Sequence, residues 1–215
     1  ESESNKKEMQ RVEWRSRDNW TLFAHGSATA FSVNGVLMSA VKSEGYDGVG
    51  FSCVAAVGGA TLSLEGCDLT CEGDKAVALF AQTETTGVMF GCCIHDGKGG
   101  GVVIAAGASV TLENNTITDN DLSGFQLQLH STATLTGNTI KGNGQCKIEW
   151  TEEELAMWPE AMATLYRSPD GFPGVSVVGH STITMPPGSN TIEGNGKVGS
   201  SREQVMVDET SCFEA

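Results

Sequence analysis

The chain has 215 residues, a formal net charge of −14, 27 glycines and 7 % aromatic residues. An acidic surface repels nucleic acid and anionic membranes, so neither is an expected partner. A run of about 18 apolar residues is missing, and no membrane span is predicted. Abundant glycine with few aromatic residues favours short strands and tight turns over long helices.

The first predicted segment is residues 1–24, of which residues 1–20 are charged and have Met9, Val12, Trp14 and Trp20 as their apolar content. Stacked strands leave an open core at each end, which natural repeat proteins cover with a cap. We therefore expect residues 1–24 to form an N-terminal capping segment.

A repeated pattern, L-x-x-N-x-I-x-x-N, follows the first segment. Its clear copies begin at Leu112 and Leu135, and a third begins at Met185 with two extra prolines. Weaker copies begin at Phe31, Leu64 and Met89. A period of about 23 residues suits one coil of three short strands, and stacked coils share one core. The pattern predicts an all-β right-handed parallel β-helix of about six coils over residues 25–199.

The asparagines of the repeat lie at fixed corners, where their amides can bond along the stack and satisfy turn backbone. Two ladders are predicted. The first contains Asn34, Cys67, Cys92, Asn115, Asn138 and Asn190, and the second contains Asn120, Asn143 and Asn195.

Residues 145–173 interrupt the repeat, which then resumes in phase. Thr151 and Glu154 form a capping-box pattern that predicts a helix to about Tyr166, with Pro159 able to split it. Large apolar residues on an insertion are typical of a contact surface, although packing on the β-helix is the alternative. The partner-binding candidates are Trp150, Met157, Trp158, Met162 and Tyr166. Residues 200–215 are expected to form a C-terminal tail.

The repeat resembles the pectin-lyase-like superfamily, and in particular its NosD-like right-handed β-helix repeats. That superfamily includes lyases, hydrolases, epimerases, ligand-binding modules and scaffolds, so the resemblance implies the fold and leaves the activity open. Its enzymes place acids on one exposed face. The candidates here are Asp96, Asp119 and Asp121, with His95 and Lys98 nearby. Asp is also a common corner residue, and this structural role is the favoured interpretation.

Other polar patterns point to weaker possibilities. His130 and His180 occupy equivalent repeat positions, and His25 sits near one; turn residues kept by repeat duplication explain them better than a metal site. An array of alternating hydroxyl residues resembles ice-binding β-solenoids, and it contains Thr61, Ser63, Ser109, Thr111, Thr132, Thr134, Thr182 and Thr184. The 7 cysteines form no zinc-like pair, and their odd number favours free thiols in a reducing compartment. No metal or other cofactor is predicted.

The absence of an adjacent Asp–Asp pair, and of arginine in the repeat core, favours a non-catalytic role. The sequence therefore predicts a scaffold or interaction module with a protein partner, such as an accessory subunit of a larger assembly. The alternatives are a carbohydrate-binding or carbohydrate-active β-helix protein and, third, an ice-binding solenoid.

Overall fold

The computed structural model describes residues 12–43, 52–73, 76–145, 150–156, 160–167, 171–197 and 204–215. Twenty-one strands in these residues form three sheets of seven strands each, and each turn of the chain adds one strand to every sheet. Neighbouring strands are parallel, which confirms the predicted parallel β-helix.

The three sheets are named A, B and C. Sheet A contains β1 (Glu13–Arg17), β4 (Leu37–Val41), β7 (Asp68–Cys71), β10 (Cys93–His95), β13 (Thr116–Thr118), β16 (Thr139–Lys141) and β19 (Thr191–Glu193). Sheet B contains β2 (Leu22–His25), β5 (Ser52–Val57), β8 (Val77–Gln82), β11 (Gly100–Ala105), β14 (Phe125–Gln128), β17 (Val175–Val178) and β20 (Val205–Val207). Sheet C contains β3 (Ala30–Asn34), β6 (Thr61–Glu65), β9 (Thr86–Phe90), β12 (Ser109–Glu113), β15 (Thr132–Thr136), β18 (Thr182–Thr184) and β21 (Cys212–Glu214).

The solenoid extends beyond the predicted range of residues 25–199. Strands β1 and β2 lie within the predicted N-terminal cap, and β20 and β21 lie within the predicted tail. They pair with β4, β5, β17 and β18, so each sheet holds seven strands where about six coils were predicted. These strands lack the asparagine corner, and the repeat pattern therefore does not reveal them.

The core arises from alternation along each strand, because successive side chains point to opposite faces of a sheet. Leu64, Met89, Leu112 and Leu135 stand in one inward column of sheet C, and all four are buried. The residues that alternate with them along each strand, such as Thr111 before Leu112, point outward. Stacked coils thereby bury one continuous apolar column for every inward position.

The first asparagine ladder runs through the corner between sheets C and A. The Nδ2 group of Asn115 donates to Oδ1 of Asn138 at 3.0 Å, and Nδ2 of Asn138 donates to Oδ1 of Asn190 at 3.0 Å. Cys92 and Cys67 continue the column, and Oδ1 of Asn115 accepts from the backbone N–H of Cys92. Contact with the Cys67 thiol, followed by burial, raises the pKa of Cys92.

The placement of Asn34 in this ladder is wrong. Asn34 is exposed at the end of β3, where its amide donates to Glu65 at 2.7 Å. The buried residue at the ladder position of this coil is Val36, because the backbone N–H of Asp68 donates to Val36 as that of Cys93 donates to Cys67. The repeat copy that begins at Phe31 is therefore displaced by two residues from the structural repeat.

The second ladder runs through the corner between sheets A and B. Nδ2 of Asn120 donates to Asn143 at 2.9 Å, and Nδ2 of Asn143 donates to Asn195 at 3.0 Å. The last rung is capped by Gln204, whose Oε1 accepts from both the backbone N–H and Nδ2 of Asn195 at 2.9 Å. Gln204 thus ends the ladder without leaving the final amide unpaired.

The insertion contains two short helices, α1 (Glu152–Leu155) and α2 (Glu160–Tyr166), and the second ends where the single predicted helix was expected to end. The capping box opens α1: Oγ1 of Thr151 accepts from the backbone N–H of Glu154, whose carboxylate accepts from that of Thr151. Arg167 reaches back to Glu152 at 3.1 Å and to Glu160 at 3.5 Å. In the described ranges, no helix has the length and apolar character needed to cross a membrane.

Candidate functional site

The helical insertion packs on the outer face of sheet B. Leu165 and Phe172 from the insertion form a buried cluster with Leu122, against which Trp150, Tyr166 and Met206 pack. Met206 lies on β20, opposite Ser176 of β17. The insertion therefore covers the last coils of this face.

Two of the five partner-binding candidates take part in this packing. The rings of Trp150 and Tyr166 stack with centroids 4.6 Å apart, and Tyr166 also meets Phe172 at 5.7 Å. Both aromatic side chains thus contribute apolar area to the solenoid side of the insertion. Met157 and Trp158 lie outside the described residues, as does the side chain of Met162.

The outer face near this packing carries buried polar atoms that hydrogen-bond to no described residue. Gln126 and Gln128 point outward from β14, and Ser176 is the cross-strand neighbour of Gln126. Ser123 precedes the same strand. The unpaired atoms are Ser123 Oγ, Gln126 Nε2, Gln128 Oε1 and Ser176 Oγ, and the four residues are at most 6 % exposed.

Burial of polar atoms without partners is unfavourable by about 1–3 kcal/mol each, so a group of four calls for an explanation. An amide N–H, an amide oxygen and two hydroxyls supply both donors and acceptors. Such a set matches the hydroxyl groups of a sugar or another polyol, or ordered water. We refer to Ser123, Gln126, Gln128 and Ser176 as the polar row.

Tyr166 links the insertion to this row. Burial raises the pKa of Tyr166 to about 12, and the Gln126 side chain lies close to the phenol. The phenol therefore stays neutral at physiological pH and retains its hydroxyl proton. An uncharged aromatic ring beside amide and hydroxyl groups is a suitable environment for a neutral polar ligand.

The predicted acidic candidates lie at the corner between sheets A and B. Asp96 and Asp119 occupy equivalent left-handed corners of consecutive coils, with φ of 52° and 56°. Both are exposed, and the partly buried Asp121 follows, its backbone N–H donating to Gly97. Adjacent coils bring Asp96 and Asp119 near one another, as the spacing of 23 residues predicts.

Asp96 is engaged by His95, which the structure places between two carboxylates. Nδ1 of His95 lies 2.7 Å from Asp96, and Nε2 lies 2.8 Å from Asp68. When both ring nitrogens donate to these carboxylates, the imidazole is protonated and has no lone pair available to act as a base. Desolvation lowers the pKa of His95, but the bonds and charges of Asp96 and Asp68 together outweigh it and raise the pKa.

Sequence reasoning missed Asp68. Its place opposite Cys93 on sheet A brings it within reach of His95. Cys67 and Cys92 are predicted neighbours in the ladder, so the residues that follow them, Asp68 and Cys93, are neighbours too. That spacing is the sequence signal that would have placed Asp68 near His95. In the described part of the chain, no group of three or more His, Cys, Asp or Glu side chains is arranged to hold a metal ion.

The raised pKa of His95 makes stability depend on pH. A group whose pKa is higher in the folded protein stabilises it fully below its unfolded-state pKa, about 6.5, and loses this effect as pH rises through the folded value. We expect His95→Gln to lower the denaturant midpoint at pH 5 and to have a smaller effect at pH 9. Urea unfolding followed by circular dichroism at both pH values measures the difference. An equal effect at both pH values would contradict the stabilisation of protonated His95 by Asp68 and Asp96.

The hydroxyl array lies on the outer face of sheet C in the expected register. Ser109 and Thr132 are cross-strand neighbours, as are Thr132 and Thr182. The Thr132 hydroxyl donates to Ser109 at 2.9 Å, so part of the array bonds within itself. Val88 interrupts the outward column between Ser63 and Thr111.

His130 and His180 stack at the equivalent turns of neighbouring coils. Their ring centroids are 5.1 Å apart with an interplanar angle of 8°, and both residues have left-handed φ values. His25 instead stacks on Phe23 at the other end of sheet B. The pair therefore occupies turn positions, as the repeat predicts.

The family model described as the right-handed beta helix region matches residues 21–201. Compared with the curated proteins and with the solved structures, the chain matches none of them.

Proposed function

The chain belongs to the right-handed β-helix family, and from that premise we propose a non-catalytic binding module whose ligand is a small hydroxyl-rich molecule of the sugar class. The ligand lies against the polar row on the outer face of sheet B, beside the helical insertion. The observation that carries this proposal is the presence on this face of four buried polar atoms that hydrogen-bond to no residue in the described part of the chain.

The chemistry of the row supports a neutral ligand. Its side chains are amides and hydroxyls, and the neighbouring Tyr166 is kept neutral by burial. Sugar hydroxyls both donate and accept, and they therefore pair with Nε2 of Gln126 and with Oε1 of Gln128 alike. The stacked rings of Trp150 and Tyr166 provide the apolar surface that accompanies polar groups in ligand sites.

The non-catalytic part of the proposal rests on the His95 cluster. Both nitrogens of His95 are held by carboxylates, and Asp96 is thereby committed to an ion pair. Asp119 lies at a left-handed corner, a usual position for a turn-forming aspartate. We assign these side chains to the stability of sheet A.

The packing of the insertion favours a ligand over a protein at this position. Trp150 and Tyr166 already contact the β-helix, so a protein that binds through them has to displace this packing. A small ligand uses the same aromatic residues in place. We therefore propose that Trp150 and Tyr166 do not carry the protein-partner role predicted from the sequence.

Two buried serines of one coil provide the test. Ser176 Oγ is unpaired, whereas Ser181 Oγ donates to the carbonyl of Val178 at 2.9 Å. Free monosaccharides and disaccharides are screened by thermal shift, and hits are measured by calorimetry. We expect Ser176→Ala to weaken sugar binding about tenfold with unchanged stability, because a hydrogen bond to ligand is lost and none within the protein.

Ser181→Ala is the matched control. It should lower the free energy of unfolding by about 1 kcal/mol and leave sugar binding intact, since it removes the bond to Val178 and the bond that Ser181 Oγ accepts from the backbone N–H of Ser131. Failure of every sugar to bind, or equal binding by the Ser176→Ala variant, would refute the proposed ligand class.

A further inference from the structure

Two large apolar side chains are exposed in the middle of the solenoid. Val88 and Phe90, both on β9, are 46 % and 43 % exposed. The other large apolar residues that are exposed in the described ranges belong to the first and last coils. Strand β9 instead lies between β6 and β12. The exposure of this pair therefore does not arise from an end of the stack.

Both side chains belong to the outer face of sheet C, since they alternate along β9 with the buried Met89. In the outer column of Phe90, the neighbours are Glu65 in the preceding coil and Glu113 in the following coil. Neighbouring strands are about 4.8 Å apart, so the two glutamates lie about 10 Å apart with Phe90 between them. We refer to Val88, Phe90, Glu65 and Glu113 as the sheet C patch.

The patch carries negative charge that the rest of sheet C does not neutralise. Every charged residue in the strands of this sheet is a glutamate, and none is a lysine or arginine. Glu65 accepts a hydrogen bond from the neutral amide of Asn34 at 2.7 Å, which leaves its charge in place. Among the described residues, the carboxylate of Glu113 has no partner. Both carboxylates are therefore available to a cation from outside.

We propose that the sheet C patch binds an extended segment of a partner protein in which an arginine or lysine stands two residues from an apolar residue. The cationic group lies over the ring of Phe90 and between Glu65 and Glu113, where the ring face and both carboxylates attract it. The apolar residue covers Val88. The spacing matches, because alternate residues of an extended strand are about 7 Å apart in the partner segment and in β9 alike.

Charge complementarity is the reason for choosing this partner. The net charge of −14 attracts a cationic segment from a distance, and the two exposed apolar side chains are covered only if that segment also carries an apolar residue. A second copy of the same face is disfavoured, because glutamates of the two copies would then oppose one another. The patch lies on sheet C, and it is therefore separate from the polar row on sheet B.

A short peptide tests the proposal directly. The probe is acetyl-Leu-Thr-Arg-Thr-Leu-amide, whose leucines and arginine lie on one side when the peptide is extended. Its control carries citrulline, which is neutral and of similar shape, in place of arginine. NMR titration of the folded chain detects binding through the amide signals of Val88 and Phe90. We expect the arginine peptide to shift these signals and the citrulline peptide to bind at least about tenfold more weakly.

Variants of the patch should weaken the arginine peptide without unfolding the chain, because the altered side chains are exposed. We expect Phe90→Thr to weaken its binding about tenfold and Glu113→Gln about threefold, with an unchanged circular dichroism spectrum. Glu84→Gln is the matched control. Glu84 is exposed at the turn before β9, so this variant removes the same charge from the same coil outside the patch and should bind like the unmodified chain.

Equal binding of the arginine and citrulline peptides, or binding of neither at millimolar concentration, would overturn the proposal. Equal losses from Glu84→Gln and Glu113→Gln would also overturn it, since the net charge alone would then explain the attraction. Sedimentation velocity of the chain without peptide tests the other occupant. A dimer that Phe90→Thr abolishes would assign the patch to a second copy and would likewise contradict the proposal.

Discussion

Replacement of Asn138 with leucine is expected to lower the free energy of unfolding by about 4 kcal/mol, since several buried polar groups lose their partner at once. Nδ2 of Asn138 donates to the carbonyl of Leu112 and to Oδ1 of Asn190, and Oδ1 accepts from the backbone N–H and Nδ2 of Asn115. Leucine has a similar volume and can serve none of these bonds. Guanidinium unfolding followed by circular dichroism measures the change.

Asn34→Leu is the matched control for this prediction. Asn34 is exposed and bonds only to Glu65 among the described side chains, so the change should alter the free energy of unfolding by less than about 0.5 kcal/mol. Similar losses at both positions would show that the asparagine stack is not what stabilises the corner.

The comparison of these asparagines shows how far the sequence predicts the fold. Leu112 and Leu135 begin copies with the same asparagine and isoleucine spacing, and their coils stack in the register that the spacing requires. Asn34 fails because the sequence around it also fits the pattern with a shift of two residues. A single asparagine in a degenerate coil does not determine its own position.

The end coils show a different limit. Trp14 and Phe213 occupy inward columns, but their strands carry neither the asparagine corner nor the regular leucine. Pairing to the adjacent coil, a tertiary interaction, determines these strands. A pattern search that relies on local spacing therefore ends before the solenoid does.

The candidate site was predictable only in part. Alternation alone places Gln126 and Gln128 on the outer face of β14, where glutamine is expected to be exposed. Their burial depends on where the insertion packs, and no residue spacing in the sequence encodes that contact. The pairing of His95 with Asp68 similarly depends on the register between β7 and β10.

Gly124, which precedes the sheet B strand β14, provides the second large expected effect. A Cβ atom at Gly124 would lie 2.7 Å from Nδ2 of Asn143 and 2.8 Å from Cγ2 of Ile140. Neither atom can move freely, because Asn143 is a ladder rung and Ile140 is fully buried. We expect Gly124→Ala to lower the free energy of unfolding by about 3 kcal/mol, measured by guanidinium unfolding.

Gly91→Ala separates this crowding from ordinary backbone strain. Gly91 has a left-handed φ of 59°, and a Cβ atom there would meet no atom within 4 Å. The alanine should therefore cost only the left-handed strain, about 1 kcal/mol. Because Gly124 lacks a positive φ, its larger loss can come only from the space that the second ladder occupies. Equal losses at the two glycines would mean that Asn143 shifts to accommodate the added methyl group. The ladder would then be less rigid than its hydrogen bonds imply.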